Sequence, residues 1–131
     1  MSQENIELTH RSVDAFNRRD LDALLALMDD DVEAVPPLAS VEGDYHGHAG
    51  IRQWWESLFD NLPDFSIEVV EVRDPGDLTV AVLRNRAHGA ASDTPVEQRL
   101  WLAAEWHGRK VIWWHAFRSE AEALEAAGLR E

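Results

Sequence analysis

Two groups of side chains in this sequence are of the types used by metal sites and proton transfer. His46 and His48 stand at alternating positions, and Asp29, Asp30 and Asp31 form a continuous acidic run. A zinc site needs three or four converging ligands, and a calcium loop spaces its acidic residues regularly. Neither pattern is complete, so we expect no metal ion. We interpret the aspartates as a solvated turn after a helix.

The other histidines are scattered along the chain, at positions 10, 88, 107 and 115. A buried histidine could still serve as a general base, because its pKa lies near neutrality. The sequence contains no cysteine, which excludes disulfides, thiolate nucleophiles and cysteine-ligated zinc. It has no Gly-x-Ser-x-Gly elbow and no glycine-rich phosphate or dinucleotide fingerprint. We therefore expect no cofactor, and no chemistry by a catalytic triad or by phosphoryl transfer.

The composition and net charge limit the classes of partner that the chain is expected to bind. The 131 residues carry a formal net charge of −13, with 45% hydrophobic and 28% charged residues. Such an acidic chain is unsuited to nucleic acid or to an anionic membrane surface, both of which attract lysine and arginine. The N-terminus is polar and acidic, unlike a signal peptide, and no apolar run approaches the ~20 residues of a membrane helix. We expect one cytoplasmic domain spanning residues 1–131.

Helical signals mark the first half of the chain and its end. A first helix is predicted over residues 4–18. A second, short helix follows Asp20, whose carboxylate can accept hydrogen bonds from free backbone amides. A third begins near Ala49 and ends before Pro63. Ser119 opens a C-terminal helix with a capping box.

Strand signals fill the remainder. Val32 begins a short strand that Pro36 stops, because proline cannot donate to a ladder. From Phe65 the apolar period changes to two, and four strands follow as far as Phe117. Helices followed by a run of antiparallel strands indicate an α+β domain with its helices on one face of the sheet.

The last two strands form a hairpin over residues 99–117 that contains four of the six tryptophans. Neither strand alternates cleanly between apolar and polar residues, and successive strand side chains point to opposite faces. Both faces of the hairpin therefore need cover. The predicted helices can cover one face, so the other implies a partner, most simply a second copy of the chain.

Three segments, residues 15–24, 47–55 and 117–129, resemble the SnoaL-like proteins of the nuclear transport factor 2-like superfamily. The resemblance implies a cone, in which a curved antiparallel sheet wraps around the helices and leaves a pocket at the open end. It also implies that the convex side of the sheet packs against a second subunit. A homodimer would then form through Trp101, Trp113 and Phe117.

The superfamily includes ketosteroid isomerases, polyketide cyclases, dehydratases and epoxide hydrolases. By the resemblance, the general base of the isomerases corresponds to Pro36, their oxyanion-binding tyrosine to Ser12, and their protonated aspartate to Leu102. Enolisation needs a base and oxyanion donors, and none of these residues can supply them. Steroid isomerase chemistry is not expected.

The same overlay implies which strand residues face the pocket, including Ile112 on the last strand. The expected ligand-binding residues are largely apolar and aromatic, as is usual for a small-molecule site. They are Tyr45, Trp54, Trp55, Asn85, Leu102, Trp106, Trp114 and Arg118. Alternatively, the tryptophans simply fill the cone, and Arg118 forms an ion pair with Glu120, Glu122 or Asp77.

Two functions remain open. The chain could bind a small, largely apolar organic molecule, with or without chemistry of the cyclase, isomerase or hydrolase kind. It could instead be a non-catalytic binding or assembly module. A carboxylate or histidine facing an open pocket would favour an enzyme, whereas a pocket filled by tryptophan would favour the module.

Overall fold

The computed structural model of the chain describes residues 2–36, 45–73, 78–88 and 95–130. The helices in these ranges are α1 (Ser2–Asn17), α2 (Leu21–Ala26), α3 (Gly47–Asn61) and α4 (Glu120–Arg130). The strands are β1 (Met28–Val35), β2 (Tyr45–His46), β3 (Ser66–Arg73), β4 (Leu78–His88), β5 (Pro95–His107) and β6 (Lys110–Phe117). None of the described helices is long and apolar enough to cross a membrane.

The strands form one curved, open sheet in the order β2-β1-β6-β5-β4-β3. Only the β1–β6 pairing in this described sheet is parallel. Parallel strands need a long connection, and here the chain passes through α3 and the other strands before it returns beside β1. The predicted α+β fold with a curved sheet is confirmed. The two predicted caps are also present: Asp20 accepts a hydrogen bond from the Ala23 amide at 3.1 Å, and Ser119 accepts one from the Glu122 amide at 3.2 Å.

The acidic run lies in a strand, and the predicted turn at this position is wrong. β1 begins at Met28, immediately after α2, and includes Asp29, Asp30 and Asp31. The backbone is drawn onto β6 because the Val111 amide donates to the Leu27 carbonyl at 2.9 Å and the Met28 side chain is buried. Asp30 and Asp31 remain exposed to solvent.

The concave face of the sheet holds the main core. Side chains from α1, α2 and α3 pack there against β1, β5 and β6. The most completely buried of these include Leu8, Val32 and Ile51. Phe16 is the aromatic centre of the helical layer, since its ring contacts those of Trp54, Trp55, Phe59 and Phe65.

A β-bulge in β6 sets which residues face the interior. Glu105 pairs with Trp113, whereas the next residue, Trp106, pairs with Val111, so Ile112 is the extra residue. A bulge places two residues opposite one and shifts the alternation of the strand. Val111 and Trp114 therefore both belong to the concave core, and Ile112 packs on the outer face beside Trp113. The inward position predicted for Ile112 is wrong.

The convex face is partly covered by the chain itself. On α4, Ala123 and Ala127 are buried against an outer cluster that includes Trp113, Leu78 and Val80. Trp101 and Phe117 lie at the edge of this cluster and are half-buried. The premise that the helices can cover only one face of the hairpin is therefore wrong, because the C-terminal helix crosses to the other side.

The buried contact of α4 predicts a large difference between neighbouring alanines. Ala123 is fully buried and Ala121 is exposed. Ala123→Asp should lower the free energy of unfolding by about 2–4 kcal/mol, because it places a carboxylate in the outer cluster. Ala121→Asp should change it by no more than about 0.5 kcal/mol. Urea unfolding measures both, and equal stability of the two variants would show that α4 does not hold the convex face.

Candidate functional site

A cavity of about 520 Å³ opens between α1, α3 and the concave face of the sheet. Its deep end is formed by buried side chains, among them Met28, Trp106 and Val111. Its rim includes the exposed residues Asn61 and Arg86. The tryptophans therefore line the cone without filling it, and the space suits a small organic molecule.

Six of the eight residues predicted to bind a ligand line this cavity. They come from separate elements that the curvature of the sheet brings together: Tyr45, Trp54, Asn85, Leu102, Trp106 and Trp114. Ligand binding by these residues stays a prediction. The other two, Trp55 and Arg118, are not among the lining residues.

Trp55 points away from the cavity because of helix geometry. Adjacent residues of an α-helix are turned by about 100°, so Trp54 and Trp55 cannot face the same way. Trp54 contacts Trp114 in an edge-to-face pair with ring centroids 5.2 Å apart. Trp55 packs instead against Phe16 at 5.5 Å and Phe59 at 4.8 Å.

Arg118 follows the last residue of β6 and is exposed. Beyond the end of the ladder its side chain is no longer held over the concave face. Of the expected ion-pair partners, Glu120 pairs with Arg73 at 3.2 Å, and Asp77 lies outside the described residues.

Residues of β4 and β3 that the predictions left out also line the cavity, including Thr79, Ala81 and Ile67. The signal for the first two is present in the sequence. Counting back in steps of two from Asn85, which was expected to face inward, reaches Ala81 and Thr79. Ile67 follows from pairing, because it lies opposite Asn85 in the sheet.

The polar groups of the described lining are hydroxyls, amides, three indole N–H groups and one guanidinium. No aspartate, glutamate or histidine lines the cavity within the described ranges. The guanidinium belongs to Arg86, which is at the rim and lies 3.3 Å from Glu97. The interior is thus nearly free of charge, which favours uncharged ligands since an unpaired ion is costly to bury.

Two of these polar groups are buried without a hydrogen-bond partner among the described residues. They are Oδ1 of Asn85 and Nε1 of Trp114. Asn85 is 6% exposed and Trp114 is 7% exposed. A third tryptophan behaves differently, because Nε1 of Trp106 donates to Oγ1 of Thr79 at 3.0 Å. Unpaired buried polar atoms are rare in folded proteins and call for an explanation.

The three positions where the resemblance places the isomerase residues all line the cavity, and they carry Ser12, Pro36 and Leu102. The Ser12 hydroxyl donates to the Leu8 carbonyl within α1 at 2.9 Å. Proline and leucine offer no side-chain proton donor or acceptor. None of the three side chains therefore supplies the base that the resemblance would require at these positions.

His46, His48 and His115 are not among the residues that line the cavity. Nε2 of His48 is 3.0 Å from the Met28 carbonyl and 4.0 Å from Asp30, while His46 is exposed. The His115 ring stacks on Phe117 at 3.9 Å on the outer face. No cluster of three or more potential metal ligands occurs among the described residues.

Arg19 fixes one wall of the cavity from outside. Its guanidinium donates to the carbonyls of Pro63 at 3.0 Å and Phe65 at 2.7 Å, and it lies 4.0 Å from the centre of the Phe59 ring. Burial lowers the pKa of Arg19 and the charge of Asp64 opposes that shift. The backbone of Arg19 has a φ of 61°, in the left-handed region. This conformation lets one side chain join the end of α1 to the segment that leads into β3.

The SnoaL-like domain model matches residues 9–119, which is most of the chain. The chain belongs to the SnoaL-like domain family. No curated protein matches this SnoaL-like chain at a significant level.

Solved structures show the same fold at low sequence identity. An NTF2-like protein of unknown function from Burkholderia pseudomallei is 18% identical, with a TM-score of 0.81, covering 93% of this chain and 95% of its own. TerC, co-crystallized with polyporic acid, is 22% identical, with a TM-score of 0.80 and coverage of 93% and 96%. A candidate SnoaL-like polyketide cyclase from Jannaschia sp. is 17% identical, with a TM-score of 0.78 and coverage of 96% and 92%.

The unpaired side-chain oxygen of Asn85 predicts an unusual stability effect. Asn85→Leu should leave the free energy of unfolding unchanged or raise it by up to about 1 kcal/mol, because it removes a buried acceptor that has no described donor. Asn17→Leu is the matched control. Asn17 exchanges two hydrogen bonds with the Ile67 backbone, at 2.7 and 2.9 Å, and its replacement should cost about 1–2 kcal/mol.

Urea unfolding measures the change in the free energy of unfolding for Asn85→Leu and Asn17→Leu. A loss for Asn85→Leu as large as that for Asn17→Leu would show that Asn85 has a structural hydrogen bond.

Proposed function

We propose that this SnoaL-like chain binds a small, largely apolar, uncharged organic molecule in the cavity of its cone. The observation that carries the proposal is an open space of about 520 Å³ whose lining is mostly aliphatic and aromatic. Burying apolar ligand surface there contributes roughly 25 cal/mol per Å² removed from water, before the costs of association.

The polar lining supports orientation of the molecule. Hydroxyl, amide and indole groups fix a ligand by hydrogen bonds, and these are the groups present at Thr79, Asn85 and Trp114. The proposal therefore is binding and orientation. Chemistry of the cyclase, isomerase or hydrolase kind would require a base in addition to these groups.

Relatives with this fold offer modest support. TerC, at 22% identity, was co-crystallized with polyporic acid, and the Jannaschia protein is a candidate polyketide cyclase. These likenesses concern the fold, and the case for this chain rests on its own cavity.

Filling the cavity tests the proposal. Ala116 lines the cavity and is half-buried, whereas Ala121 is an exposed alanine on α4. Ala116→Phe should weaken binding of 4-ethylbiphenyl and 4-acetylbiphenyl by about tenfold or more, because the added ring occupies their space and overpacking costs about 1–3 kcal/mol. Ala121→Phe should have no effect on binding.

Isothermal titration calorimetry measures these affinities. Tryptophan fluorescence gives an independent signal in the wild type, because three tryptophans line the cavity. Absence of saturable binding to the wild type, or equal binding by both variants, would contradict the proposed site.

We also propose that a second copy of the chain covers what α4 leaves open on the convex face. Trp101 and Phe117 are half-buried at the edge of the outer cluster, and Nε1 of Trp101 has no partner among the described residues. Trp113, the third residue expected in the contact, is already buried beneath α4. Trp101 and Phe117 are therefore the informative positions.

Charge at this edge should prevent dimerisation. Trp101→Glu and Phe117→Glu should each convert a sedimenting dimer into a folded monomer, since a carboxylate cannot be buried unpaired in an apolar interface. Ala49→Glu, at an exposed position of α3, should remain dimeric. Analytical ultracentrifugation over a concentration series checks this prediction, and a wild type that is monomeric throughout would refute it.

A further inference from the structure

One rung of the sheet crosses the deep part of the cavity and carries two hydrogen-bond donors. Thr79 of β4 pairs with Ala104 of β5, which in turn pairs with Trp114 of β6. Residues on one rung point to the same side of a sheet, and all three line the cavity. Neighbouring strands lie about 4.8 Å apart, so the outer two Cα atoms are separated by about 10 Å. The methyl group of Ala104 leaves room between them.

The Thr79 hydroxyl is set up as a donor. A threonine hydroxyl has one proton to give and two lone pairs to accept with. Its oxygen accepts the N–H of Trp106 at 3.0 Å, and the hydroxyl proton has no acceptor among the described residues. Accepting a hydrogen bond polarises the hydroxyl and strengthens the hydrogen bond that its own proton can donate. Thr79 is 1% exposed, so the bond would form in an apolar setting.

Trp114 supplies the second donor on this rung. Its indole N–H can donate and cannot accept, and it is unpaired among the described residues. The Nε1 atom is covered by neighbouring side chains, and a hydrogen bond to a ligand oxygen requires the indole to rotate.

We propose that the deep end of the cavity binds a carbonyl oxygen of an aryl ketone or quinone, held between the Thr79 hydroxyl and the Trp114 indole. This inference rests on the proposed function and names the chemical class of its ligand. A carbonyl oxygen accepts two hydrogen bonds and brings no proton of its own. An alcohol that accepts from Thr79 leaves its own proton unpaired at this rung, and one that donates to the second lone pair of Thr79 leaves the threonine proton unpaired. An ammonium group meets two donors and no compensating charge. A hydrocarbon leaves both donors unpaired.

The test compares two probes of similar shape. 4-Acetylbiphenyl carries the carbonyl oxygen, and 4-ethylbiphenyl lacks it. Their dissociation constants are measured by calorimetry with the wild type and with Thr79→Val, Thr79→Ser and Trp114→Phe. Losing one hydrogen bond should reduce the preference for the ketone by about tenfold in Thr79→Val and in Trp114→Phe. Thr79→Ser keeps the hydroxyl and should keep the preference within about twofold.

Infrared spectroscopy of carbonyl-labelled 4-acetylbiphenyl gives a readout that stability changes do not imitate. Hydrogen bonds weaken the C=O bond, so the stretch of the bound ketone should lie below its position in cyclohexane. It should move back towards that position in Trp114→Phe and Thr79→Val. If Thr79→Val fails to fold, the ketone preference of Trp114→Phe and the carbonyl stretching frequency in the wild type still test the carbonyl site.

The outcomes separate the two proposals. If both probes bind the wild type, but the preference is unchanged in Thr79→Val and Trp114→Phe or the bound stretch equals that in cyclohexane, the carbonyl site is refuted and the proposed function stands. If neither probe binds the wild type, the proposed function fails and the carbonyl site fails with it.

Discussion

The extra residue in β6 is the local constraint on which the use of both sheet faces depends. With strict alternation, Ile112 and Trp114 would point inward, and Val111 and Trp113 outward. The bulge at Ile112 makes Val111 and Trp114 inward neighbours of Trp106 and Ala104, and it sends Ile112 outward with Trp113. A single hairpin thereby supplies one wall of the cavity and also the platform for α4. A bulge also bends and twists its strand, which suits the closed end of a cone.

Packing at the closed end leaves the cavity open towards the rim. Met28, Val111 and Trp106 fill the narrow end together with residues of α2, whereas the alanines of β4, β5 and β6 leave space further along. Small residues on a concave face create volume that larger side chains would remove. The polar atoms placed along this space are then exposed to a ligand in surroundings of low polarity, where each hydrogen bond matters more than it does in water.

Much of this architecture could be predicted from local sequence signals. The caps at Asp20 and Ser119 are short-range features, and the period of two beyond Phe65 marks strands regardless of their neighbours. Other features depend on contacts that a local pattern does not contain. β1 extends back through three aspartates because β6 accepts its backbone, and β2 exists because Tyr45 and His46 meet β1. The bulge at Ile112 is hidden because both faces of the hairpin are apolar, so the sequence pattern carries no parity to reveal it.

In the candidate site too, some residues could be predicted from local sequence patterns and others depend on tertiary contacts. Strand alternation within a recognised fold predicts that Asn85, Trp106 and Trp114 face the cavity. The alternation holds wherever no bulge interrupts the strand. Trp54 and Trp55 are adjacent on a helix, and the sequence does not show which of them faces the cavity. The packing of Trp55 against Phe16 shows that it is the one turned away. Thr79 has no distinguishing pattern of its own, since a threonine in a strand is ordinary. Its interest comes from Trp106, whose indole N–H takes one of the two lone pairs of the hydroxyl oxygen, while the hydroxyl proton has no acceptor among the described residues. That relation joins residues 79 and 106 across two strands, and it becomes visible once the register between β4 and β5 is known.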